Sequence, residues 1–175
     1  MHINGKTNTE SMMKASLSLV IAAMLLTAAL AVPAAAQKQV PFKGSLQGQE
    51  TNTPQGGPPP TTLSVDGSVT GMATHVGQFS FNYQLTVTLA NGTATGSARL
   101  IAANGDSIYT TIAGAIETTS TPGVASVTEI NTITGGTGRF AGAQGSFTVE
   151  RLLTEATGFT SGSFHGTITS PGAAR

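Results

Sequence analysis

From Gln78 to Leu89 the chain alternates without a break. Phe79, Phe81, Tyr83, Leu85, Val87 and Leu89 occupy one phase, and Gln78, Ser80, Asn82, Gln84, Thr86 and Thr88 the other. A period of two over twelve residues predicts a β-strand with one apolar and one polar face. Weaker versions of the pattern predict further strands over 40–48, 67–75, 93–103, 106–117, 124–134, 146–153 and 159–169, about eight in all. Asn91-Gly92 and Asn104-Gly105 predict tight hairpins with positive φ at both turn positions. Thr121-Pro122-Gly123 and Ala156-Thr157-Gly158 predict two more turns. Residues 49–61 hold Pro54, Gly56, Gly57 and Pro58-Pro59-Pro60, which oppose both helix and central strand and predict a long Pro/Gly-rich exposed loop.

Short hairpins make consecutive strands antiparallel neighbours, so the expected order is a meander. Eight such strands most naturally close on themselves, because closure removes the exposed edges that invite aggregation. The expected fold is therefore all-β, a single eight-stranded antiparallel meander barrel, with an open two-sheet sandwich as the alternative. No repeat of solenoid or propeller period is present.

The N-terminus reads differently. Met12-Met13-Lys14 forms a short positive segment, Ala15 to Leu30 is apolar, and Pro33-Ala34-Ala35-Ala36 ends in an A-x-A pattern. This predicts a signal peptide over residues 1–36, cleaved near Ala36/Gln37, with translation starting at Met1 or at Met12 or Met13. The apolar run is too short for a stable membrane anchor. The expectation is a barrel domain over 37–175 in a secreted or periplasmic protein. With eight Lys/Arg and eight Asp/Glu in the chain, loss of Lys6, Lys14 and Glu10 leaves the rest near neutrality. No basic patch points to nucleic acid. Cysteine is absent, which excludes disulfides, thiol catalysis and cysteine-based zinc sites.

Between the sixth and seventh strands lies Thr134-Gly135-Gly136-Thr137-Gly138-Arg139-Phe140-Ala141-Gly142-Ala143-Gln144-Gly145. Gly135, Gly136, Gly138, Gly142 and Gly145 allow backbone conformations closed to residues with a Cβ, and Phe140 offers one large apolar anchor. The reading is a shaped structural corner. No helical pattern or Lys-Ser/Thr follows it, so it is not a phosphate loop.

The segment Ile133 to Gly145, with Val149, Leu152 and the later Gly162-Ser163-Phe164-His165-Gly166, resembles the allene oxide cyclase and dirigent proteins. In those families a G-G-x-G-x-F-x-G-A-x-G corner joins two late strands of an eight-stranded antiparallel barrel. The likeness covers roughly residues 124–168, and the chain looks like a bacterial branch of that barrel group. The resemblance implies a shaped apolar cavity, assembly into dimers or trimers, and one of two activities. Cyclases close an unsaturated epoxide with the help of a glutamate and a water; dirigent proteins steer phenoxy-radical coupling or quinone-methide closure. The match fades in the N-terminal part, so the cyclase glutamate has no assigned counterpart here.

Several residues could carry chemistry. The face bearing Phe79, Phe81 and Tyr83 either fills the interior or lines a pocket, and burial of each ring, worth about 1.5–3 kcal/mol, accounts for it either way. Ala94, Gly96, Ala98 and Ala102 on the next strand leave room for interlocking or for a ligand. Glu129 shares a phase with Ala125, Val127, Asn131 and Ile133; the opposite phase, Val124, Ser126, Thr128 and Ile130, competes for the interior. Turned inward, Glu129 becomes a candidate acid or base. Arg151 follows Phe147 and Val149 near a strand end, where it either holds a ligand carboxylate at a barrel mouth or snorkels to water. Arg99 and Glu150 fall on polar phases. His75 and His165 lie far apart without a carboxylate partner, so no metal site is expected. No G-x-S-x-G elbow is present.

The leading expectation is an exported β-barrel module that binds or shelters a small hydrophobic molecule, without a cofactor and without a catalytic constellation. Phe79, Phe81, Tyr83, Glu129 and Arg151 are its ligand-binding candidates. One alternative is a cyclase- or dirigent-like isomerase in which Glu129 or Glu50 polarises an unsaturated substrate. Another is a homo-oligomeric structural component of the envelope.

Overall fold

The structure, a computed structural model, describes residues 38–169 and 171–172. Eight strands follow in chain order: β1 Gln39–Gln55, β2 Thr62–Ala73, β3 Gly77–Thr88, β4 Thr93–Ala102, β5 Ser107–Thr118, β6 Val124–Gly136, β7 Gly145–Thr154 and β8 Phe159–Thr169. Each pairs antiparallel with the next, and β8 pairs back onto β1, closing the barrel. This is the eight-stranded antiparallel meander barrel expected from the alternation. The expected signal segment, 1–36, lies outside the described residues.

Following ladder partners from Glu50 through Gly67, Tyr83, Ala98, Thr110, Ile133, Gly145 and Ile168 leads back to β1 at Val40, not at Glu50. That stagger tilts the strands against the barrel axis. Apolar phases point inward, and Ser, Thr, Asn and Gln dominate outside. The pattern is the reverse of an outer-membrane barrel, whose apolar face looks outward.

One half of the interior is filled by rings. Phe42, Phe79, Phe81, Phe147 and Phe164 meet at centroid distances of 5.0–6.4 Å, tilted or edge-on. Val76, Phe140 and Ala143 join the same core from the loops and stop that end of the barrel. The glycine corner makes this plug. Gly138–Phe140 forms a single 3₁₀ turn, and Phe140 is buried. The Arg139 amide donates to Asp106 Oδ2 at 3.2 Å, and Arg139 Nη2 donates to the Val76 carbonyl at 3.0 Å. The Ser107 amide donates to Thr137 Oγ1 at 2.9 Å. The corner thus ties three connections together around one buried ring.

Three details depart from the sequence reading. The loop expected over 49–61 is shorter, because β1 runs to Gln55 and only residues 56–61 connect it to β2. β8 pairs with β1 only as far as Gln49, so Pro54 lies where the strand has a ladder partner on the β2 side alone, the edge setting in which proline is tolerated. Asn91 and Asn104 do not take positive φ; only Gly92 (67°) and Gly105 (88°) do. Each asparagine Oδ1 accepts an amide two residues on, Thr93 at 3.1 Å and Asp106 at 3.2 Å, and so supports a longer loop than a two-residue turn. β6 continues to Gly136 through a bulge opposite Tyr109/Thr110, where Thr134 is the extra residue.

Candidate functional site

The other half of the interior is polar at its centre. On β6 the phase containing Ala125, Val127, Glu129, Asn131 and Ile133 faces inward, while Ile130 is left 54% exposed outside. Glu129 is therefore buried, 3% exposed. Arg151 continues the inward phase of β7 after Phe147 and Val149 and is 5% exposed. Its guanidinium does not snorkel out to bulk water. Glu50 lies inward on the extended half of β1, and Thr160 inward on β8.

These side chains converge on the guanidinium. Arg151 Nε and Nη2 donate to Glu129 Oε2 and Oε1 at 3.2 and 2.9 Å, a two-point pair. Arg151 Nη1 donates to Glu50 Oε2 at 2.7 Å and to Thr160 Oγ1 at 3.0 Å. The Tyr83 hydroxyl donates to the same Glu50 oxygen at 2.8 Å, and the Arg151 guanidinium lies 5.2 Å from the centre of the Tyr83 ring. Burial, and to a lesser extent Glu50, pushes the Tyr83 phenol above its ordinary range despite the opposing charge of Arg151. Burial alone would lower Arg151; the hydrogen bonds and charge of Glu129 outweigh it and hold the guanidinium above its usual range. It stays charged.

Glycines let the network assemble. Gly67 stands between Glu50 and Tyr83 in the ladder, and a Cβ there would overlap the Tyr83 ring. Its missing side chain is the gap through which the phenol crosses β2 to reach Glu50. A Cβ on Gly114 would press on Glu129 at 2.9 Å, and one on Gly162 on Arg151 at 2.6 Å. Each of these three network side chains lies against a glycine of the neighbouring strand.

Above the network, on the side away from the phenylalanines, is a small cup with a free volume of about 20 Å³. Leu63, Val65, Leu85, Val87, Ala94, Ile116 and Val127 form its wall; Glu50, Glu129 and Arg151 form its floor, and the exposed Asn52 stands at its rim. A broader groove, about 770 Å³, crosses the outer face of β2–β5 past Asp66, Asn82, Gln84, Arg99 and Tyr109. Its floor is the hydrogen-bonded sheet, and its charged groups are solvated. The concentration of buried ionic groups is inside.

Of the residues singled out from sequence, Tyr83, Glu129, Arg151 and Glu50 meet in one network. Phe79 and Phe81 lie in the filled half and do not reach the cup. The Arg151 fork is engaged by Glu129, Glu50 and Thr160 and is buried, which corrects the expectation that it snorkels to water. Arg99, Glu150, His75 and His165 are exposed, and His75 sits in a turn with φ 64°. Thr160 shares the inward phase of Phe164 and Ile168 and is fully buried, while Phe159 is 42% exposed; a lone threonine carries no signal of its own in the sequence. Deeper in, Thr110 donates to Asn131 Oδ1 at 3.0 Å, and Asn131 Nδ2 has no partner among the described residues. Comparison with family models, with curated proteins and with solved structures finds no match to this chain.

Proposed function

We propose that this chain is an exported β-barrel module that binds a small, mostly apolar molecule through the cup at the polar half of the barrel. One observation carries the reading: a buried ionic network forms the floor of an apolar-walled recess instead of being sealed within the ring-packed core. Burying two carboxylates and a guanidinium is weak support for stability, since well-packed apolar side chains do as well or better. A polar floor under apolar walls is the pattern of small-molecule sites. The free volume admits about one water-sized group. A larger ligand would seat its head there and lay its remainder against Leu63, Val87 and Ile116. Kinship with the allene oxide cyclase and dirigent barrels belongs to the same reading, supported by the meander barrel and the Phe140 corner.

Calorimetric titration of the purified protein with short alcohols, fatty acids and terpenoid-like ligands tests it. Saturable binding by at least one apolar class is expected, with loss on Ala94→Phe, which fills the wall. No binding by any of them would count against the module.

A second reading is a cyclase- or isomerase-like enzyme acting on an unsaturated apolar substrate. What favours it is the meeting of Glu50, Glu129 and the Tyr83 hydroxyl beside the cup, since a positioned carboxyl can take or give a proton in a transition state. Turnover of unsaturated epoxides, abolished by Glu50→Gln, is its test.

A further inference from the structure

We propose that the cup selects a primary ammonium group, so that its ligand is a small alkylamine or the aminomethyl end of a longer molecule. The proposal rests on the binding reading above and names the chemistry of what enters. It follows from how the three ionic side chains divide their contacts. Glu129 takes two N–H groups of Arg151, one on each oxygen, so one anion and the one cation are matched within a single fork. Glu50 enters the network through Oε2 alone, which accepts from both Arg151 Nη1 and the Tyr83 hydroxyl. Glu50 Oε1 accepts no hydrogen bond among the described residues, although Glu50 is only 8% exposed and lines the cup. The second carboxylate therefore lines the cup with one oxygen free of protein donors and shares a cation already matched by another anion.

Each class of ligand head meets this floor differently. A carboxylate head would face the Glu50 oxygen with like charge. A bare alkyl end would leave that oxygen unpaired and cost its desolvation. An alcohol satisfies the hydrogen bond and leaves the charge uncompensated. An ammonium head satisfies both, because it makes the charge-assisted hydrogen bond that an alcohol also makes and adds a cation beside the carboxylate whose charge Arg151 does not fully match. Size narrows the class further. About 20 Å³ accommodates one water-sized group, which an –NH₃⁺ matches and a trimethylammonium exceeds. Asn52, exposed at the rim of the cup, offers an amide oxygen to an N–H donor that still faces water. Leu63, Val87, Ala94 and Ile116 take the first methylenes.

The test is calorimetric titration of the purified protein with butylammonium, butanol, butyrate and butyltrimethylammonium. Butylammonium is expected to bind about tenfold or more tightly than butanol, with butyrate and butyltrimethylammonium failing to compete. Glu50→Gln is expected to abolish the preference, so that butylammonium binds no more tightly than butanol. Methyl NMR shifts on adding butylammonium should fall on Leu63, Val87 and Ile116. Equal binding of butylammonium and butanol, or shifts confined to the outer face, overturns the ammonium assignment and leaves the binding module standing. No saturable binding by either overturns both. Should Glu50→Gln fail to fold, the native ammonium-to-alcohol ratio and the methyl shifts decide alone.

Discussion

The ring of Tyr83 lies across Gly67 of the neighbouring strand, so closely that a Cβ on Gly67 would overlap it. Gly67 is also the ladder residue between Tyr83 and Glu50, so the same gap admits the phenol to its carboxylate partner. Gly67→Ala is expected to destabilise the barrel by about 1–3 kcal/mol through overpacking. Urea unfolding would measure this. In a Tyr83→Leu background the cost of the same substitution should fall, because the atoms it strikes are gone.

Arg151 is the one cation of a network with two carboxylates, all of them buried. Arg151→Met is expected to cost about 3–5 kcal/mol, the penalty for stranding buried charge. Replacing Glu50, Glu129 and Arg151 together by apolar residues of similar volume should recover most of that loss or exceed native stability. A triple variant as unstable as the single one would show that the network is needed for the fold itself.

The folded barrel holds the Tyr83 proton more tightly than the unfolded chain does, because burial opposes the phenolate. A raised folded-state value contributes stability that is complete below the ordinary phenol pKa of about 10 and is lost as pH rises beyond it. In a Tyr109→Phe background, tyrosinate absorbance should therefore appear together with unfolding and not at about pH 10 in the folded protein. Tyrosinate formed at that pH with the near-ultraviolet circular dichroism intact would contradict the buried Tyr83–Glu50 contact.

Phe140 is 1% exposed and anchors the corner that stops the ring-packed end. Phe140→Ala should cost about 3–5 kcal/mol, as for other fully buried rings. Hydrogen exchange should show the loss first at Thr137 and Arg139, whose backbone groups tie the corner to Ser107 and Asp106. Uniform loosening of the whole barrel would argue that the corner has no separate role.

Alternation made the strands legible, and Phe79 to Val87 is the clearest case, since five inward side chains mark one phase. β6 was not legible in the same way. Val124 and Ile130 on one phase balance Val127 and Ile133 on the other, so periodicity alone leaves Glu129 in or out. Register decides it: Asn131 pairs with Ile112 and with Phe147, both inward, and Glu129 follows in phase. Arg151 failed for a related reason. Its strand position was right, but a guanidinium near a strand end reads as solvated unless two carboxylates from β1 and β6 are known to meet it.

The chain's own pattern determined that it would form an antiparallel meander of about eight strands with a ring-rich interior and a glycine corner. Those are local properties, because side-chain direction alternates residue by residue and hairpin signals act over a few positions. Tertiary structure alone decided that Glu50, Tyr83, Glu129, Arg151 and Thr160, from five different strands, share one buried hydrogen-bond network. The stagger that brings them together is set by ladder register around the closed sheet, and a shift of one residue in any strand would turn its contribution outward.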